Sequence, residues 1–141
     1  MKNLITVMII SCLAFNGYSQ GTFEVEVSNL SVMEGTIYAQ VFNSEGDYLK
    51  KAFAQALVEV SENEPVVLKF ENLPFGTYAM NLYHDENSSE ELETGMFGIP
   101  KEGYAFSNNA KGMFGPPGYE DTQFEFKADM KMKVELIHPP F

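Results

Sequence analysis

Between Tyr83 and Thr122 the chain reads YHDENSSEELETGMFGIPKEGYAFSNNAKGMFGPPGYEDT. The stretch is too long and too rich in Gly, Pro and Asn for an ordinary strand connection. It also carries too many aromatic rings for a solvated linker. Loops of this length inside a compact domain are uncommon, and they are either functional or disordered. Any fold available to the chain must therefore carry this segment, which is expected to lie as a fixed lid on a scaffold built from the flanking sequence.

The flanks read as that scaffold. Thr22–Leu30 alternates, with Phe23, Val25 and Val27 on one face and Glu24, Glu26 and Ser28 on the other, as in a strand with one wet face. Thr36–Asn43 is apolar on both faces and is expected to lie centrally. Leu57–Ser61 and Val66–Phe70 flank Glu62-Asn63-Glu64-Pro65 as a hairpin, and Leu73-Pro74-Phe75-Gly76 is a reversing turn. Thr77–His84, Gln123–Phe126 and Lys131–Ile137 complete the set, with Ala128-Asp129-Met130 as the turn joining the last two. Leu49, Phe53 and Ala56 stand at helical spacing, but so short a helix is marginal. Tyr48–Ala56 is read instead as a crossover between sheets. Seven short strands, frequent turns and no long helix point to an all-β, two-sheet antiparallel β-sandwich. No internal repeat and no second domain is read.

The N-terminus sets the compartment. Lys2, the apolar run Leu4–Phe15 and the small-x-small site Gly17-Tyr18-Ser19 form a secretory signal peptide over residues 1–19, too short for a membrane span. Residues 20–141 then form a single domain, located in the periplasm, the cell envelope or outside the cell. A rival reading takes Ile9-Ile10-Ser11-Cys12 as a lipoprotein box with Cys12 as a lipid anchor. Against it, Leu13, Ala14 and Phe15 continue the apolar run beyond the cysteine. Because Cys12 is the one cysteine, removal of the leader takes away disulfides, thiolate metal sites and cysteine nucleophiles together. The chain has no Arg and a formal net charge of −11 at pH 7. Such a surface repels nucleic acid and anionic lipid, both of which are bound chiefly through Lys and Arg.

Three runs carry a family resemblance: ENLPFGTY at Glu71–Tyr78, HDEN at His84–Asn87, and GIPKEGYAFSNNAKGMFGPP at Gly98–Pro117. The first resembles the turn-and-strand of prealbumin-like and collagen-adhesin B-type sandwiches, with Leu73 and Tyr78 as core anchors and Phe75-Gly76 at the corner. Together they resemble the bacterial family called domain of unknown function 2141 over essentially the whole chain beyond the leader. That resemblance implies a secreted or envelope-located sandwich of Gram-negative bacteria and brings no established activity. Family members commonly follow HDEN with Gly-Asn-Gly-x-Leu-Asp. Here Ser88-Ser89-Glu90-Glu91-Leu92-Glu93 stands instead, without the glycines.

Three chemistries are available to the long stretch. Asp85, Asn87, Ser89, Glu91 and Glu93 occupy positions one, three, five, seven and nine of a calcium-type loop, but Glu90 replaces its glycine and Met96 its bidentate Glu. The crowding of Glu86, Glu90, Glu91 and Glu93 beside Asp85 favours a cation. His84 beside Asp85 and Glu86 suggests a hydrolase, yet no nucleophile motif accompanies it and His138 lies near the C-terminus. His84 is expected instead to anchor the loop. Phe97, Tyr104, Phe106, Phe114 and Tyr119, with Asn108 and Asn109, form a ligand platform or pack the loop onto a sheet; packing is the reading for most of the rings. The expected function is a non-enzymatic envelope binding module for a protein, peptide or glycan, without a cofactor. The alternative is a calcium-stabilised structural protein, and a hydrolase centred on His84 ranks last.

Overall fold

The computed structural model describes residues 19–139. The predicted leader up to Tyr18, with Cys12, lies outside the described residues, as do Pro140 and Phe141. In chain order the strands are β1 (Gln20–Ser28), β2 (Thr36–Phe42), β3 (Ala54–Glu59), β4 (Val67–Pro74), β5 (Gly76–Asp85), β6 (Tyr104–Phe106), β7 (Phe124–Phe126) and β8 (Met130–Glu135), with a one-turn helix α1 (Tyr119–Thr122) ahead of β7. They form two sheets, β4-β1-β8 and β3-β2-β5-β6, with β7 also paired to β5. This is the two-sheet β-sandwich that the alternating pattern implied.

β1 shows how the alternation becomes structure. Phe23, Val25 and Val27 point inward and are buried. Outside, Glu24 sits between Lys69 of β4 at 3.6 Å and Lys131 of β8 at 3.4 Å, and Lys133 approaches Glu26 at 3.8 Å. Exposed pairs of this kind contribute little stability. They do agree with the register, which sets Glu24 opposite Lys69 and Lys131. The core between the sheets centres on Phe23, whose ring lies 4.8 Å from Phe124, 5.8 Å from Phe70 and 6.1 Å from Phe126. Ile37, Val41, Leu68, Met80, Leu82 and Val134 fill in around it.

Two connections differ from the sequence reading. Tyr48–Ala56 is not a crossover between sheets. Hydrogen bonds from the Lys50 and Lys51 N–H groups to the Asp47 carbonyl make a turn, Phe53 bonds back to Val41, and β3 then pairs with β2 in the same sheet. β3 begins at Ala54, because small inward alanines at 54 and 56 alternate with outward Gln55 and Leu57. Leu57–Phe70 is not a hairpin, since β3 and β4 belong to different sheets and the chain crosses between them. The two strands after Gln123, joined by the turn at Ala128 and Asp129, take different partners: β7 pairs with β5, while β8 runs parallel to β1. Alternation tells which face of a strand is buried, but not which neighbour pairs with its edge.

The corner at Phe75 stands as expected. Leu73 and Tyr78 are buried, and the Tyr78 hydroxyl donates to the Pro74 carbonyl at 2.7 Å.

The long stretch differs from a plain lid. It supplies β6 as an additional, eighth strand, so it completes a sheet instead of lying over one. β6 pairs with Asn81–Tyr83, and β7 with Gly76–Tyr78 further back along β5. At their junction Ser107 is fully buried; its hydroxyl accepts the Met80 N–H at 3.0 Å and donates to the Thr122 carbonyl. Asn108 donates to the Gln123 carbonyl at 2.8 Å, while the Asn109 side chain accepts the Glu135 N–H at 2.9 Å and donates to the Lys133 carbonyl at 3.3 Å. These two asparagines thus fasten the segment to both sheets. Tyr104 and Ile137 exchange backbone hydrogen bonds, which joins the sheets along this side.

Candidate functional site

The outward face of the five-stranded sheet follows from strand register. Residues directly opposite in antiparallel pairs share a face. One row across the strands is therefore Leu57, Tyr38, Tyr83 and Tyr104, and the next is Gln55, Gln40, Asn81 and Phe106. A row of rings thus lies beside a row of amides. Tyr38 and Tyr83 stack with centroids 5.3 Å apart and 21° between planes, and Tyr104 meets Phe106 edge-on at 6.1 Å. Over β3 and β2 the face forms an open groove of about 550 Å³, bounded by Glu90 and lined by Tyr38, Gln40, Gln55, Leu57 and Tyr83. Beside it Asn81 Oδ1 is shielded and has no hydrogen-bond partner among the described residues. Burial, then the carboxylates of Glu90 and Asp85, pushes the Tyr38 phenol up. Burial also comes first for Tyr83, followed by Tyr38, Asp85, Glu102 and Glu91. Both hydroxyls consequently stay protonated around neutral pH and can donate as well as accept.

At the end of β5 the inward and outward faces carry different polar groups. His84 pairs with Ile37, faces the core and is fully buried. Its Nε2 lies 2.6 Å from the Glu34 carbonyl and must donate, because a carbonyl only accepts. Among the described residues Nδ1 has no hydrogen-bond partner, and it stands 3.7 Å from a Glu86 oxygen. Asp85 is buried beneath the acidic loop, where its two oxygens accept the Ser89 N–H at 3.0 Å and the Glu90 N–H at 2.8 Å. Asn87 Oδ1 accepts the Ser89 N–H at 3.1 Å, and the Ser89 hydroxyl donates to the Glu91 carbonyl at 2.9 Å. Glu93 gives its carbonyl to the Lys101 N–H at 2.8 Å. Among the described residues no three His, Cys, Asp or Glu side chains are grouped to hold a metal ion.

Glu102 escaped the sequence reading. It precedes Gly103, whose carbonyl accepts the His84 N–H at 2.8 Å, and it is buried in the same corner. Its Oε1 accepts the Glu86 N–H at 3.1 Å, while Oε2 has no partner among the described residues. Burial is the main cause that raises its pKa above the ordinary 4.5, helped by Asp85 and Glu93, while hydrogen bonds from the Glu86 and Glu93 backbone oppose the rise. A raised carboxyl keeps its proton in the folded state after the unfolded chain has lost it. Its stabilising contribution is therefore complete below the ordinary value and shrinks as pH rises toward the folded one. Glu102→Gln is accordingly expected to melt higher than the parent above about pH 5 and to match it near pH 4. Melting curves across that range check this, and a variant less stable throughout would contradict it.

The aromatic candidates separate into two groups. Phe106 and Tyr119 are buried and Tyr104 is half-buried on the sheet face, so these rings pack against the domain. Phe97 and Phe114 do not pack: both stand almost entirely in solvent. Tyr38 and Tyr83 were missed as a platform because the register that brings them together is not a local pattern. No helix among the described residues is long and apolar enough to cross a membrane.

Neither the curated proteins nor the solved structures give a match to this chain. A family model described as "Uncharacterized protein conserved in bacteria (DUF2141)" matches residues 25–135. That range runs from Val25 in β1 to Glu135 at the end of β8, and it takes in both sheets, the ring and amide rows, the acidic loop and Glu102. The chain therefore belongs to this bacterial family, DUF2141.

Proposed function

We propose that this domain is a non-enzymatic binding module of the bacterial envelope and that the outer face of its five-stranded sheet takes uncharged glycan chains. The observation that carries the reading is the stacked Tyr38–Tyr83 pair lying beside Gln40 and Gln55 over a groove of about 550 Å³. A sugar ring offers an apolar face, which suits a tyrosine plane, and hydroxyls around its rim, which suit amides able to donate and accept at once. A few placed polar groups on an apolar, preformed surface is the usual composition of a ligand site. The net charge of −11 favours a neutral polymer over an acidic one. The enclosure of His84 against the Glu34 carbonyl supports binding without chemistry. The leader read from residues 1–19 supports the envelope location.

Affinity electrophoresis through gels cast with neutral polysaccharides (dextran, mannan and xylan) provides the test. The protein should be retarded in at least one gel, and Tyr83→Ala should weaken that retardation about tenfold, the loss expected for one stacked ring with its hydrogen bond. Tyr83 is only half-buried, so the variant should remain folded. Absence of retardation in all three gels, or an unaffected Tyr83→Ala, would refute the proposal.

A further inference from the structure

Two turns of this domain are built alike. Gly95-Met96-Phe97-Gly98-Ile99-Pro100 and Gly112-Met113-Phe114-Gly115-Pro116-Pro117 share the pattern G-M-F-G-x-P, a repeat too short to register in a reading for long periods. The first is a hairpin tip: Thr94 bridges Pro100, and the Gly95 N–H donates to the Ile99 carbonyl at 2.7 Å. The second closes so tightly that a Cβ on Gly112 would overlap the Gly115 carbonyl. Each lifts its Met-Phe pair away from the domain. Phe97 is 92% and Phe114 99% exposed, with Met96 at 78% and Met113 at 88%.

At each tip the adjacent Met and Phe side chains together make an exposed apolar patch, and such patches mark interaction sites. Each tip also has a lysine at its base. The Lys101 stem passes beside Gly95, with Cε 3.7 Å from where a Cβ would stand, and Lys111 directly precedes Gly112. Among the described residues Lys101 and Lys111 are in no ion pair, nor are Lys50 and Lys51, whereas Lys69, Lys127, Lys131 and Lys133 are each paired with a glutamate. An apolar apex above a free ammonium group matches a lipid interface, where the ring enters the acyl boundary and the lysine stays at the phosphate. The charge of the whole chain selects among lipids. At −11 it is repelled by an anionic surface, which leaves a zwitterionic one. A second copy of the chain would bring the same charge to the contact.

We propose that the two G-M-F-G tips are paired wedges that insert into a zwitterionic lipid surface. The chain contains no Trp, so Phe97→Trp and Phe114→Trp each place a single reporter at one apex of the full-length protein. With phosphatidylcholine vesicles, both reporters should shift their emission to shorter wavelength and become shielded from acrylamide. Replacing the other tip's Phe with Ser should weaken the partition about tenfold or more, in keeping with the loss of one buried ring. Mixing phosphatidylglycerol into the vesicles should weaken binding severalfold, and added salt should restore it. Melting temperatures should not move, because the replaced rings are almost wholly exposed.

Emission that stays at its water-exposed value for both reporters would overturn the proposal, as would a shift at one tip only. Preferential binding to anionic vesicles would overturn the charge argument. A lipid-independent shift that grows with protein concentration would point to self-association and overturn the lipid reading.

Discussion

Phe23→Ala is expected to lower the free energy of unfolding by about 3–5 kcal/mol, the usual cost of removing a fully buried ring. Phe23 has no exposed surface and lies against Phe70, Phe124 and Phe126, so its removal leaves a cavity walled by rings from both sheets. Phe70 is held on β4 by its pairing with β1, and Phe124 and Phe126 on β7 by its pairing with β5, which limits how far they can collapse inward. A domain of this size has about 5–15 kcal/mol in total. Urea unfolding should show a lower midpoint with an unchanged slope. A loss under about 1 kcal/mol would mean that the cavity closes and that Phe23 is not central to the core.

Gly35→Ala is expected to cost about 3 kcal/mol or more, since it combines backbone strain with a steric overlap. Gly35 has φ of +84°, and a Cβ there would overlap the Asp85 carbonyl oxygen and stand 3.1 Å from the Glu86 Cα. Neither obstacle is a side chain that can turn away. Gly35 also accepts the Val60 N–H at 2.9 Å, and the preceding Glu34 carbonyl receives the His84 proton. The substitution should therefore loosen the ends of β2, β3 and β5 together. Gly46→Ala is the control, because no atom lies within 4 Å of its added Cβ. Thermal melting of the two variants side by side gives the comparison. Equal melting points would show that the Gly35 turn relaxes freely.

What the sequence made legible follows from the range over which each signal acts. A strand with one wet face announces itself within a few residues, so β1 and β8 are readable from Phe23-Glu24-Val25-Glu26 and Lys131-Met132-Lys133-Val134. Partnership between strands is a property of the assembled sheets. The Glu62–Pro65 segment carries turn chemistry whether the next strand pairs with its predecessor or crosses to the opposite layer, and here it crosses. β6 is three residues long, too short for any period, and is defined by what Asn81–Tyr83 leave unpaired.

The candidate site follows the same rule. His84, Asp85, Asn108 and Asn109 stand in runs that mark them out, and they do hold the long segment in place. Tyr38 and Tyr83 are far apart in the chain and meet only through the β2–β5 register. Glu102 gives no local sign of burial, because its surroundings come from the end of β5 and the start of the acidic loop.

The parallel pairing of β1 with β8 places Phe23 beside Met130 and Val27 beside Val134. The opening strand of the domain thus waits for the closing one. This sheet cannot be completed until β8 is in place, and contacts between residues so far apart in the chain slow folding. Truncation within β8 should leave an unpaired edge on β1 and an open cleft beside Phe23, a species prone to aggregate.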